Sequence, residues 1–200
     1  MSRVTLSRIW HFIWDEDSIW SWLINIVIAF AVIKWLLYPA LGLLLGTSVP
    51  IVAVVSGSME HTGNLDSYWT NLICCDEKCI FKGVPGNYYE DINITQDKFR
   101  TFDFANGFNK GDIMILTGAK TVAQGEVLVY MTNRPDPIIH RVININENGN
   151  IFKTKGDNNC ESGDFEQAIP SANVLGKAAW RIPFLGWVKI FAVDLLNLVR

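Results

Sequence analysis

The 200-residue sequence predicts a mainly β protein, an antiparallel β domain tethered by an N-terminal transmembrane helix and followed by a C-terminal apolar or amphipathic helix. Three observations carry this. Residues 19 to 46 form a 28-residue stretch with a single charge, Lys34, and one strongly polar amide, Asn25. Beyond Gly111, short β-branched segments alternate with Gly, Pro, Asn and Asp. Residues 183 to 199 are apolar again, and Lys189, Asp194, Asn197 and Arg200 gather within a roughly 140° arc of a helical wheel, although Ile190 and Val193 intrude on it.

A helix over residues 19–46 would be about 42 Å long at 1.5 Å per residue, enough to cross a bilayer with a tilt or a kink at Pro39. A cleaved secretory leader would have an apolar stretch of only about 7–15 residues and then a small-residue cleavage site, so this one reads as a retained anchor. Trp10, Trp14, Trp20 and Trp22 stand where an interfacial aromatic belt belongs. Arg3, Arg8 and the amino terminus precede the anchor, whereas residues 47–77 contain no Lys or Arg. Basic flanks stay cytoplasmic, so the N-terminus is expected inside and the main domain outside. The expected organisation is a cytoplasmic segment 1–18, an anchor 19–46, an extracytoplasmic domain 47–181 and a C-terminal helix 182–200. That last helix reads as lying in the interface rather than as a second span.

In the outer domain, Val49–Val55, Ile113–Thr117, Val127–Thr132, Ile138–Asn146 and Ile151–Lys155 have the composition of strands. Asn148-Gly149 between the last two is a hairpin signal. Residues 60–109 are rich in Asn, Asp, Gly, Tyr and Phe without periodicity, and are expected to be a long irregular excursion.

Composition removes some functions. Half the residues are hydrophobic, and 17 basic residues against 20 acidic ones leave no cation excess to neutralise a nucleic acid. Cys74, Cys75, Cys79 and Cys160, with only three histidines in the chain, lack the paired spacing of a structural zinc site, so neither metal nor cofactor is expected.

Three elements could carry chemistry. Ser56-Gly57-Ser58-Met59 lies about a dozen residues past the anchor; its glycine permits a turn that exposes a hydroxyl, and its two serines could act as nucleophile and oxyanion donor. His140 sits in a β-branched strand that would hold it rigidly and demand a partner. The loop after Lys155 supplies Asp157 and Asp164. Alone, each reads as a loop, a structural histidine and solvated carboxylates.

In order and context they resemble type I signal peptidases, in particular the serine–histidine branch of archaea and the endoplasmic reticulum. The matching motifs are Ser56-Gly57-Ser58-Met59-Glu60 after an anchor, Lys110-Gly111-Asp112-Ile113-Met114-Ile115, Asp136-Pro137-Ile138-Ile139-His140-Arg141-Val142 and Lys155-Gly156-Asp157-Asn158-Asn159. The resemblance implies a signal-peptidase-like β domain with Ser58 as nucleophile, His140 as base, and Ser56 with the Ser58 amide as oxyanion hole. It places the carboxylate that orients the base about six residues after Asp157. That position is Gly163, and a one-residue insertion restores Asp164, with Asp157 kept as a second functional carboxylate.

The implied activity is a membrane-bound serine endopeptidase that removes signal peptides from secretory and membrane preproteins by a Ser-His-Asp mechanism. Its partners would be signal peptides, the lipid membrane and accessory subunits or the translocon. The implied location is the plasma membrane with the domain outside, or alternatively the endoplasmic reticulum membrane with the domain lumenal. Rival readings are an inactive β-domain serving assembly or adhesion, a serine–lysine protease using Lys153 or Lys155, and His61 as base. The excursion is the departure from the family. It holds Cys74, Cys75 and Cys79, which permit a disulfide with one cysteine left for Cys160 or free, and the glycosylation sequon Asn93-Ile94-Thr95.

Overall fold

The computed structural model describes residues 2–76 and 78–198 and divides into two units, residues 1–44 and 45–200. In the first, a helix over Ser2–Trp14 precedes a helical stretch over Ile19–Leu45, long and apolar enough to cross a membrane. Ser18 caps the second helix by accepting from Ser21 N–H at 3.2 Å. The Asn25 amide is satisfied by Ile13 O at 2.9 Å, and Ser21 Oγ donates to Phe12 O at 2.7 Å. The helix opens into a π-helical turn at Ile33–Leu37, two residues before Pro39, whose ring and missing N–H disturb the ordinary ladder. Trp10, Trp14, Trp20 and Trp22 are all exposed.

Among the described residues the second unit contains nine strands: β1 Ile51–Ala53, β2 Ile73–Cys74, β3 Lys82–Gly83, β4 Ile113–Thr117, β5 Val127–Tyr130, β6 Ile138–Ile145, β7 Ile151–Lys155, β8 Ile169–Pro170 and β9 Val174–Ile182. Seven form an antiparallel sheet in the order β1-β4-β9-β5-β6-β7-β8, while β2 and β3 make a separate ribbon. The expected strands thus form, Ile113–Thr117 and Ile151–Lys155 over their full expected ranges and the other three trimmed by one or two residues at one or both ends, and Gly149 turns the β6–β7 hairpin at φ 68°.

Alternation along β5 sorts side chains to two cores. Val127 and Val129 join Val54, Met59, Met114 and Leu116 on one face, and Leu128 and Tyr130 join Val142, Phe152 and Ile169 on the other. Both faces of β5 are therefore covered, and all four of its residues are buried.

Residues 60–109 correct the expectation of an irregular excursion. They contain short helices at Leu65–Thr70, Pro85–Asp91 and Gln96–Arg100, the first capped by Asn64 and the last by Thr95. Leu65, Tyr68, Trp69, Tyr89, Ile94 and Phe99 build a third core that closes on Ile143 of β6. Ring pairs such as Tyr89–Phe99, with centroids at 4.8 Å, and Trp69–Phe99 at 5.4 Å supply the cohesion, typically about 0.5–1.5 kcal/mol per pair beyond burial. Helices of five to seven residues are too short to display a period, so the segment looked featureless as sequence. Disulfides Cys74–Cys79 and Cys75–Cys160 use all four cysteines.

A helix over Trp187–Leu198 ends the described chain; Arg200 lies outside the described residues. Gly111, at φ 89°, lets Trp187 pack against the backbone, since a Cβ there would fall 2.0 Å from the indole nitrogen. Trp180, Phe184, Leu185, Val188 and Phe191 are exposed.

Candidate active site

Ser58 lies in the turn after β1. Glu60 N–H closes this turn onto Gly57 O at 3.1 Å, and the Glu60 carboxylate, which accepts Lys110 N–H at 2.9 Å, stands 3.0 Å from where a Cβ on Gly57 would lie. Asp112 steadies the strand leading into the turn: its backbone O accepts from Val54 N–H at 2.9 Å, and Gly111 N–H donates to Val54 O at 2.8 Å. The Lys110-Gly111-Asp112 motif is therefore a brace for the serine segment.

His140 comes from β6, opposite Leu128, and is almost fully buried. Its Nε2 lies 2.9 Å from Ser58 Oγ, and Ser56 Oγ lies 3.1 Å from Ser58 Oγ. On the far side, His140 Nδ1 hydrogen-bonds Glu166 Oε1. An ionised carboxylate can only accept, so Nδ1 carries the proton and Nε2 presents its lone pair to the serine hydroxyl. The sequence reading missed Glu166.

Asp164, expected behind the histidine, is instead exposed at the first position of a 3₁₀ turn over Asp164–Glu166. Two steps at about 120° each turn residue 166 to the other side of that helix, and the longer glutamate side chain spans the gap. Glu166 Oε2 accepts Gly163 N–H at 2.8 Å, which fixes the carboxylate.

Asp157 is not at the imidazole either. Arg141 grips it through Nε at 2.9 Å and Nη2 at 2.7 Å, His61 Nε2–H donates at 2.9 Å, and Tyr89 O–H donates at 2.8 Å. Burial pushes its carboxyl up, but the Arg141 charge and the His61 hydrogen bond outweigh this and hold it far below the usual carboxylate range. His61, the rival base, is thereby committed to Asp157 and stacks on Tyr68 with ring centroids 3.6 Å apart. Lys155 Nζ donates to Gly156 O at 3.1 Å and Asp157 O at 3.2 Å, so it serves the loop backbone rather than Ser58.

The loop itself carries the alignment. Asn158 N–H donates to Ser58 O at 2.7 Å, and its side-chain amide donates to Gly57 O at 3.1 Å. Gly156 lies against the imidazole, because a Cβ there would stand 2.8 Å from His140 Nε2. A cleft of about 580 Å³ opens over the pair, walled by Ala53, Val55, Ile138 and Ile139, with Arg134 stacked on Phe165 at 4.5 Å at its rim.

A hydroxyl, an imidazole and a carboxylate thus stand in hydrogen-bonded line beside a cleft in an antiparallel β domain, an order in which the imidazole can take the hydroxyl proton while the carboxylate holds it in place. The chain is similar to a human SEC11B sequence (36% identical over 90 residues, 40% of this chain and 54% of the other). It is also similar to the signal peptidase complex catalytic subunit SEC11 of Yarrowia lipolytica (30% over 97 residues, 44% and 56%) and to signal peptidase I W of Bacillus subtilis (34% over 58 residues, 26% and 30%). No family model matches. The chain spans about half the length, or less, of the curated relatives it matches. The matched part of the chain is thus similar to type I signal peptidases of both eukaryotes and a bacterium.

Proposed function

We propose that the chain is a membrane-bound serine endopeptidase that removes signal peptides, acting through Ser58, His140 and Glu166. The observation that carries this is the 2.9 Å contact between Ser58 Oγ and His140 Nε2, with Glu166 on the other imidazole nitrogen. His140 takes the Ser58 proton as the oxygen attacks the scissile carbonyl, and Glu166 steadies the imidazolium that forms. The Ser56 hydroxyl and the Ser58 N–H receive the oxyanion. His140 then returns the proton to the departing amine, and water hydrolyses the acyl-enzyme.

Ala53 and Val55 give the cleft an apolar wall, which supports small apolar residues before the cut. Ile19–Leu45 serves as the anchor, with the domain extracytoplasmic, on the side of the membrane where a signal segment is cleaved. The exposed Trp187, Val188 and Phe191 suit a C-terminal helix lying in the interface. Relatives named as catalytic subunits of a signal peptidase complex support the endoplasmic reticulum location and accessory subunits as partners, and give the plasma-membrane reading no support.

The test is to incubate the detergent-solubilised protein and Ser58→Ala with a secretory precursor and to sequence the new N-terminus. Cleavage after a small residue by the wild type alone is expected. Equal processing by Ser58→Ala would overturn the proposal.

A further inference from the structure

Residues 60–109 touch the site at its second layer. Asp157 and the peptide groups beside it receive Tyr68 O–H on Asp157 O at 2.7 Å, Tyr89 O–H on Oδ1 at 2.8 Å and His61 Nε2–H on Oδ2 at 2.9 Å, all from this one segment. His61 Nδ1 is buried with no hydrogen-bond partner among the described residues, so the ring is placed for its bond to Asp157 and its stack on Tyr68. Further along the same loop, Cys160 is joined to Cys75 of the segment. The rings of Tyr88 and Tyr89 also face Lys155 Nζ, at 5.0 and 4.8 Å, where the loop leaves β7.

That loop meets both reacting residues. It holds Ser58 O through Asn158 N–H, passes Gly156 under the His140 ring, and ends in the turn that carries Glu166. A carboxylate buried as deeply as Asp157 is kept in place only by its donors.

We propose that the inserted segment is a built-in positioning element for catalysis, in which His61, Tyr68, Tyr89 and the Cys75–Cys160 disulfide fix the Gly156–Glu166 loop and so align Ser58 with His140 and Glu166. This rests on the serine-peptidase reading. None of the four touches the reacting atoms; they act through the loop. The segment is thus a part of the active centre folded in cis, and the two disulfides have different duties. Cys75–Cys160 crosses from segment to loop with a separation of 85 residues, while Cys74–Cys79 closes within the ribbon region and never reaches the loop.

The experiment compares wild type with Tyr89→Phe, His61→Phe, Cys75→Ala/Cys160→Ala and Cys74→Ala/Cys79→Ala in full-length protein. Each is assayed for cleavage of an internally quenched signal-segment peptide with alanine before the cut, and for the rate at which Ser58 is labelled by a fluorophosphonate. Thermal unfolding is followed alongside, and assays are run well below every transition. Tyr89→Phe, His61→Phe and Cys75→Ala/Cys160→Ala are expected to lower kcat and labelling about tenfold or more with KM within about twofold, because misplacement of a reacting group by even an ångström slows chemistry more than binding. Cys74→Ala/Cys79→Ala is expected to match wild type. Variants that melt earlier yet keep wild-type kcat and labelling, or an equal loss in both disulfide variants, would overturn the inference. A wild type that labels at Ser58 but leaves the peptide uncut refutes the substrate reading instead, and labelling then still decides the positioning role.

Discussion

Glu166 divides its carboxylate between two partners, His140 Nδ1 on one oxygen and Gly163 N–H at 2.8 Å on the other. The backbone therefore aims the Glu166 carboxylate at the His140 imidazole. Thr154 Oγ1, at 3.4 Å from the oxygen that meets His140, adds a weak third contact.

Glu166→Gln should leave the fold intact and lower kcat by two to four orders of magnitude, since losing the orienting carboxylate of such a triad can cost about 10⁴ in turnover. Asp164→Asn, altering an exposed residue, should stay within about twofold of wild type, as surface changes usually do. Steady-state kinetics of the pair distinguish the two carboxylates; a dead Asp164→Asn beside an active Glu166→Gln would reverse the assignment.

Ser56→Ala should retain partial activity. Removing one oxyanion donor costs on the order of 10²–10³ in kcat, whereas Ser58→Ala removes the nucleophile itself. Equal loss in the two serine variants, measured on one precursor, would argue against an oxyanion role for Ser56.

Gly156→Ala should be expressed and folded but slow. Its new methyl would lie 2.8 Å from His140 Nε2 and 2.7 Å from Asn159 Nδ2, so one or both must move. A drop in kcat of about tenfold or more is expected for such a displacement, with a melting temperature near that of wild type. Full activity would show that the loop relaxes without disturbing the base.

Lys155 gives the protein a pH signature. Burial lowers its ammonium from 10.5 to about 8, with the charges of Asp157 and Glu166 offsetting part of the effect. Between those values the unfolded chain holds a proton that the folded chain has released, so stability rises with pH from about 8. The buried phenols of Tyr68 and Tyr89 titrate above 10.0 and reverse the trend beyond that point, because the folded state then keeps protons that the unfolded state loses. Denaturant titrations should show the rise between about pH 8 and 10 in wild type and a flatter profile in Lys155→Met.

Asn93 is exposed, at φ 60°, between the helices Pro85–Asp91 and Gln96–Arg100, with Ile94 fully buried beside it. If the domain faces the lumen, expression through a eukaryotic secretory pathway should yield a form that loses mass on treatment with an N-glycosidase, and Asn93→Gln should lack it. A wild type unaffected by the enzyme would count against that placement.

That Ser58 and His140 meet was legible because each sits in a short motif whose residues fix a local shape, a turn after β1 and a register position on β6. Glu166 was not. The distance from Asp157 to the acid is set by how a 3₁₀ turn winds, and counting along the chain stops at Gly163 or Asp164. The sheet was read from β-branched alternation, yet β9 escaped, since Val174–Ile182 includes Gly176, Ala178 and Ala179 and looks weak until β4 and β5 flank it. The aromatic insert was opaque for a related reason: its order comes from rings meeting across three short helices, a cohesion that no window of sequence displays.

Ser58 and His140 are separated by 82 residues along the chain, and Glu166 follows His140 by another 26. Contacts of such range form late, after the loops between them have closed. A nascent chain that has exposed Ser58 has not yet acquired His140, and one that has His140 still lacks Glu166. Under the proposed function, proteolytic power would arrive only once these distant contacts have closed, so an unfinished molecule would spare its neighbours and itself.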